Sequence, residues 1–272
     1  MSLGRVLSSS GSIPTALVLS GVYLYSRLQA GSGQVLAGSS QSSMRSSVAT
    51  TRLARHPMRF RLRDGSVVRC RIVDAGGLLS VSVDRDYDVP GVDWAALRTI
   101  VDVGAHVGTF TVWAAMRAPS ARILAIEPNP ETFAFLQRNI RDNHLEDRVV
   151  AVNAAVGSES GAGTLELVEH SLGTRLAKGG SGTVNVNVQT IPSLLATAGI
   201  DAVDLLKIDC EGMEYEVLEA LDSDQLSRLD VIACEYHPEP GHSVTELDAL
   251  LRASGFTVQR PEAPLGVLWA TR

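Results

Sequence analysis

From Thr99 onward the chain alternates short apolar runs with amphipathic stretches. That rhythm constrains the fold more than any other feature, because strands joined by helices form a mostly parallel sheet covered on both faces. The spacing predicts strands over 99–103, 122–127, 148–153, 203–208 and 229–235, with closing strands over 256–259 and 266–270. Helices are expected over 107–117, from Asn129 to about Asn143, over 212–221 and over 243–253. Asn129-Pro130-Glu131 supplies an N-cap, a proline at the first helical position and an acid in the first turn. Segments 164–169 and 183–189 break the rhythm and read as an inserted strand pair around a Gly-rich loop.

The preceding stretch has a different pattern. Segments 58–63, 67–73 and 78–84 alternate apolar and polar residues, separated by Asp64-Gly65 and Gly76-Gly77. This predicts a small antiparallel β meander. The organisation is therefore an N-terminal extension (1–50), a β-rich cap (51–98) and the main sheet (99–272). In the extension, the apolar run 13–25 is short for a membrane span and resembles a signal-peptide core. The reading preferred here is an extra helix or an extension without a fixed place, followed by a Ser/Gly-rich linker. No stable membrane span is expected.

The net charge of −6 and the absence of a long basic run argue against a nucleic-acid partner. Arg52, Arg55, Arg59, Arg61 and Arg63 read as the solvated face of a strand pair. Cys70, Cys210 and Cys234 lack metal or disulfide spacing and read as buried, reduced thiols of a cytoplasmic protein.

Four clusters carry chemistry, each at the exit of an expected strand, where open α/β sheets bind ligands. In Asp102-Val103-Gly104-Ala105-His106-Val107-Gly108 an acid precedes a glycine turn that opens a helix. His106 and Thr109 stand where a dinucleotide fingerprint needs glycines. An acid there would repel a pyrophosphate but suits a ligand carrying an ammonium group. Glu127, 19 residues beyond Gly108, can accept both ribose hydroxyls of a nucleoside, or serve only as charge compensation for the following helix. Lys207 and Asp209 point to one side, either as part of a site or as a structural bridge. Glu235 and His237 reach the same edge, His237 as a functional group or a structural one.

Taken in order, VDVGAHVGTFT, AIEPNPETFAFLQRNI, AVNAAVGS, LLKIDCEGMEYEVLEAL and EYHPE resemble the FkbM family of methyltransferases over roughly residues 80 to 260. The resemblance implies a Rossmann-like class I methyltransferase sheet with an antiparallel last strand. It also implies S-adenosylmethionine as cofactor and O-methylation of a sugar or natural-product intermediate, a small-molecule hydroxyl. Carried over by position, Asp102, Gly104 and Gly108 would hold the methionine part. Glu127, with Pro128 and Asn129 beside it, would hold the ribose, and Asn153 and Ala154 would lie near the adenine. Lys207, Asp209, Glu211 and His237 would line the reaction end. His106, also counted among the cofactor contacts, stands where the family commonly has Asn.

Methyl transfer needs an aligned acceptor and a base. His237 is the expected base, because its reference pKa lies near neutrality, with Asp209 or Glu211 assisting or replacing it. The site residues are read without a metal. One alternative has Asp209 and Glu235 holding Mg²⁺ against a diol, and another directs the methyl group to nitrogen. A nicotinamide-dependent oxidoreductase and a non-catalytic nucleoside-binding module are the remaining rivals.

Overall fold

The computed structural model describes residues 10–11, 55–166, 175–177 and 183–272. The expected helix or linker over 12–50 lies outside the described residues. Among the described residues, no helix is long and apolar enough to cross a membrane.

A hairpin comes first, pairing β1 (Pro57–Arg61) antiparallel with β2 (Val67–Arg71). Its alternation matches the strand period: Phe60 and Leu62 are buried, whereas Arg59, Arg61 and Arg63 are exposed. The expected third meander strand over 78–84 is instead helical. Gly76–Leu79 forms one helical turn, and Ser80–Asp84 continues it as a π-helical turn. Arg85, in the left-handed region at φ 62°, ends it. The buried residues Leu78, Leu79, Val81 and Val83 fall at spacings of three and four as well as two. So short a window satisfies both periods, and packing chose the helical one.

The main sheet is assembled from β3 (Thr99–Val103), β4 (Arg122–Ile126) and β5 (Val149–Val152). A second small sheet follows from β6 (Ala155–Val156), β7 (Gly161–Glu166), β8 (Arg175–Ala177) and β9 (Thr183–Gln189). Here β7 and β9 form the inserted pair, antiparallel and in register from Gly161 opposite Val188 to Glu166 opposite Thr183, with the first strand beginning three residues before the expected 164–169. The main sheet is completed by β10 (Val203–Ile208), β11 (Leu229–Tyr236), β12 (Thr257–Gln259) and β13 (Gly266–Thr271). Its seven strands run in the order β12-β13-β11-β10-β3-β4-β5. The β11-β10-β3-β4-β5 block is parallel throughout, and β13 enters antiparallel to both of its neighbours.

Each face of this sheet carries its own core. Ile100, Leu205 and Ala233 pack with Val112, Leu136 and the cap residues Leu78 and Tyr87. Val101, Leu206 and Ile232 pack on the other face with Leu194, Leu218 and Leu251. Leu194 belongs to the helix Ile191–Ala198, which the strand–helix rhythm does not announce. Thr190 caps it, Pro192 lies in its first turn, and Gly199 closes it at φ 65°.

The cap is fastened to the main sheet by two asparagines four residues apart on the helix Pro130–Asp142 and its C-cap. Asn139 accepts from Arg69 N at 2.7 Å and donates to Arg69 O at 2.9 Å. Asn143 treats Val67 the same way, at 2.8 and 2.7 Å. These amides act as a surrogate strand for the free edge of β2. Asn139 Nδ2 also donates to Val107 O at 2.7 Å, so one side chain ties the cap to the glycine turn after β3.

Candidate functional site

The turn after β3 is held on two sides. Gly104 and Ala105 donate their N–H groups to Ile126 O, at 3.0 and 2.9 Å. On the other side, Gly104 stands so close to the exit of β10 that a Cβ on it would lie 1.7 Å from Asp209 O. With φ at +74°, the position accepts only glycine. Gly108, at φ +86°, precedes the helix Thr109–Arg117 and packs against Leu136.

Between them, His106 also adopts a left-handed backbone, at φ 53°. Its N–H donates to Glu127 Oε2 at 2.7 Å. Its ring lies 3.8 Å from Asp74 Oδ1, the carboxylate that Arg71 holds through Nε at 2.7 Å. Burial pushes the imidazole pKa down to about 4, so it is neutral despite that carboxylate. The histidine thus joins the turn to the cap's Arg71–Asp74 pair.

Asp102 is fully buried and carries its own cation. Lys207 Nζ lies 3.2 Å from Asp102 Oδ1, while Thr111 Oγ1 donates to Oδ2 at 2.5 Å. Lys207 also donates to Gly104 O at 2.7 Å and Val103 O at 3.2 Å. Burial alone would lower the lysine pKa, but the charges of Asp102, Asp209 and Glu235 outweigh it and hold the ammonium protonated. The sequence reading aimed Asp102 at a ligand's ammonium group. In the fold that carboxylate is paired inside the protein, and the pair braces the turn from beneath.

Glu127, at the end of β4, is 6% exposed. Its Oε1 accepts from Asn129 N at 2.9 Å and Thr132 Oγ1 at 2.8 Å, and its Oε2 accepts only from His106 N. Glu127 thus organises the start of the following helix through Oε1 and holds the turn after β3 through Oε2. Burial pushes its pKa up to about 7 against these hydrogen bonds. Asn129 caps the helix by accepting from Glu131 N at 3.0 Å. Asn153 Nδ2 donates to Glu127 O and Pro128 O, at 2.8 and 3.1 Å, which gathers the segment after β5 onto the same turn. Ala154 beside it is buried.

At the exits of β10 and β11 the structure brings Asp209, Glu211, Glu235 and His237 together, with a residue the sequence did not flag. Tyr87, from the cap, places its hydroxyl 2.5 Å from Glu235 Oε2 and 3.2 Å from Asp209 Oδ2. The two carboxyl groups share one hydroxyl, and burial with Asp209 alongside raises Glu235 to about 7. That hydroxyl occupies the place where an ion between Asp209 and Glu235 was considered. No motif surrounds Tyr87; only its position in the fold reveals it.

His237 is held from behind. Its Nδ1 lies 3.0 Å from Oε1 of Glu214, a carboxylate with no solvent exposure, and its Nε2 lies 3.5 Å from Glu211 Oε2. Glu214 in turn accepts from Cys210 N at 3.0 Å and Gly212 N at 2.9 Å. Burial opposes a charge on the ring, but the Glu214 hydrogen bond and the carboxylates of Glu214, Glu211 and Asp209 raise its pKa to about 9. The near-neutral base expected of His237 is thus an imidazolium at pH 7. The three cysteines are all free; Cys70 and Cys234 are buried, and Cys210 is half-buried.

A seven-stranded sheet of this order, with an acid–glycine turn leaving its central strand and an acid ending the next, defines a Rossmann-like class I methyltransferase. The Methyltransferase FkbM domain family matches residues 102–258, more than half of the chain, and the chain belongs to that family. Methyltransferase sdnD of Sordaria araneosa is 29% identical over 217 residues, which span 67% of this chain and 82% of that one. The 31-O-demethyl-FK506 methyltransferase FkbM of Streptomyces tacrolimicus is 28% identical over 217 residues, 68% of this chain and 82% of that one. Hexuronic acid methyltransferase AglP of Haloferax volcanii is 25% identical over 136 residues, 50% and 54% of the two chains. Family and fold imply S-adenosylmethionine as the methyl donor.

Proposed function

We propose that this chain moves the methyl group of S-adenosylmethionine to a hydroxyl of a small molecule, a sugar or a natural-product intermediate. The observation that carries the reading is the convergence of Asp209, Glu211 and His237 beside the Gly104 turn. The names of two relatives, which specify a demethylated natural product and a hexuronic acid, support the substrate class.

The residues fit the cofactor. Glu127 Oε2 has room to accept a ribose hydroxyl, and Asn129, Pro128, Asn153 and Ala154 flank it on the adenine side. The side-chain-free Gly104, braced by Lys207, leaves space for the methionine part. His106, Gly108 and the buried Asp102 shape this wall from behind. When bound, the cofactor supplies a sulfonium methyl group with an excellent leaving group.

What remains for the protein is alignment and proton removal. A cavity of about 550 Å³ opens beside Glu235, with Arg260 and Trp269 in its lining, and Glu235 meets Asp209 across the Tyr87 hydroxyl. The hydroxyl proton passes to Asp209 or Glu211 as the oxygen attacks, because the imidazolium of His237 cannot accept it at neutral pH. His237 keeps those carboxylates in position.

The test is calorimetric titration with S-adenosylhomocysteine, followed by transfer of labelled methyl to hydroxylated sugars, sugar acids and macrolides. Binding of the nucleoside and base-stable label on oxygen support the reading. Absence of nucleoside binding by the folded chain defeats it, and label found only on nitrogen redirects it.

A further inference from the structure

We propose that Asp209, Glu211 and His237 form a binding site for a first-row divalent metal ion, which takes the acceptor through its hydroxyl and a neighbouring oxygen. The proposal rests on the methyl-transfer reading for what the ion does, and on geometry alone for its presence.

One ligand atom from each of the three residues lies within 4.8 Å of the other two. Metal–ligand bonds of about 2.0–2.2 Å place ligands up to roughly 4.4 Å apart, so a small rotamer adjustment closes the triad. All three side chains are partly accessible, at 25% for Asp209, 26% for Glu211 and 19% for His237. An ion can therefore enter, and three ligands leave coordination positions open.

The second observation is the way the histidine is held. Metal-bound imidazoles nearly always give their other ring nitrogen to a carboxylate, a backbone carbonyl or a water, which fixes the tautomer and aims the ring. Here Glu214 does this, fully buried and itself fixed by two backbone N–H groups, those of Cys210 and Gly212. These N–H groups belong to the turn that carries Glu211. One buried carboxylate thus orients both His237 and the loop presenting Glu211. Glu211 itself adopts a left-handed backbone at φ 55°, a conformation that non-glycine residues hold where the surroundings impose it.

Two oxygens and one imidazole nitrogen suit Mn²⁺ or Zn²⁺ better than Ca²⁺ or Mg²⁺. The open positions would take two oxygens of a diol or an α-hydroxy acid, and binding there makes the hydroxyl easier to deprotonate. With Asp209 and Glu211 held by the ion, the proton passes to Glu235, which meets Asp209 across the Tyr87 hydroxyl.

The experiment is titration of the metal-stripped full chain with MnCl₂, read by calorimetry and by loss of the free Mn²⁺ paramagnetic resonance signal. S-adenosylhomocysteine binding is measured in parallel in EDTA. One ion should bind per chain, and at least tenfold more weakly in both Glu211→Gln and His237→Gln. Asp224→Asn, an exposed and remote acid, should leave the affinity unchanged. If the wild type binds no ion, or if Glu211→Gln matches the wild type, the site does not exist. In that outcome persistent nucleoside binding in EDTA leaves the methyltransferase reading standing. Loss of nucleoside binding in EDTA from a chain that still melts cooperatively would count against that reading instead. Should His237→Gln fail to fold, Glu211→Gln decides alone.

Discussion

Lys207 Nζ sits 3.2 Å from Asp102 Oδ1, and the two side chains are 3% and 0% exposed. The register places them directly opposite one another on β10 and β3, so the pair spans the centre of the sheet beneath the glycine turn. Removing one partner leaves an uncompensated charge. Asp102→Ala should lower the unfolding free energy by about 3–5 kcal/mol. The double variant Asp102→Leu with Lys207→Met should recover most of that loss, because an apolar pair of similar volume avoids the desolvation penalty. Urea denaturation of both variants checks this. Equal stability of Asp102→Ala and wild type would show that the pair is not a buried ion pair in solution.

A second expectation concerns pH. Glu127 has a folded pKa of about 7, raised above its ordinary value of 4.5 by burial. The folded state therefore favours the protonated form. Its contribution to stability is complete below about pH 4.5 and is lost as pH rises through 7. Nucleoside binding should run oppositely, because a carboxylate accepts ribose hydroxyls better than a carboxylic acid. S-adenosylhomocysteine should bind more tightly at pH 8 than at pH 6. Glu127→Gln should flatten that dependence and weaken binding by about 1.5–3 kcal/mol at pH 8. Calorimetry at both pH values is the check, and a retained pH slope in the variant would assign it to another group.

Tyr87 acts at a site far from its own place in the sequence. Its hydroxyl serves Glu235 and Asp209 together. Tyr87→Phe leaves two adjacent carboxyl groups without their shared hydroxyl, which should destabilise the chain by about 1.5–3 kcal/mol. S-adenosylhomocysteine affinity should change less than twofold, because Glu127 and the Gly104 turn are untouched. Thermal melting and titration of the same preparation separate the two effects.

The sequence made the main sheet legible because its parallel strands are short, mostly apolar runs, three of which carry an acid at their exit: Asp102, Glu127 and Asp209. Those closing acids were found for the same reason. What they contact was not legible. The partner of Asp102 lies 105 positions away on β10, and a spacing argument treats an acid at a strand exit as free. The helical turns over Gly76–Asp84 were read as a strand because alternation over seven residues also satisfies helical spacing. Tyr87 escaped because a single aromatic in an irregular segment carries no periodicity. The charge on His237 escaped because Glu214, its buried partner, reads in sequence as the polar face of a helix.

The last prediction tests whether the turn after β3 must stay free of side chains. Gly104→Ala adds one methyl group, which would lie 1.7 Å from the Asp209 carbonyl oxygen. The backbone there, at φ +74°, already disfavours any residue with a Cβ. Either the turn or the exit of β10 has to move. Moving the turn disturbs the bonds from Lys207 to Gly104 O and from Gly104 N to Ile126 O. Moving the strand exit displaces Asp209 from Tyr87. Both routes open the wall that would hold the methionine part, so S-adenosylhomocysteine affinity should fall at least a hundredfold. Stability should fall by about 1–3 kcal/mol, the range for a strained backbone position. Gly91→Ala is the matching control. It has a similar φ of +83° with nothing within 4 Å of a new Cβ, and it should cost stability without affecting nucleoside binding. If Gly104→Ala binds the nucleoside as Gly91→Ala does, close approach at this turn is not what the site requires.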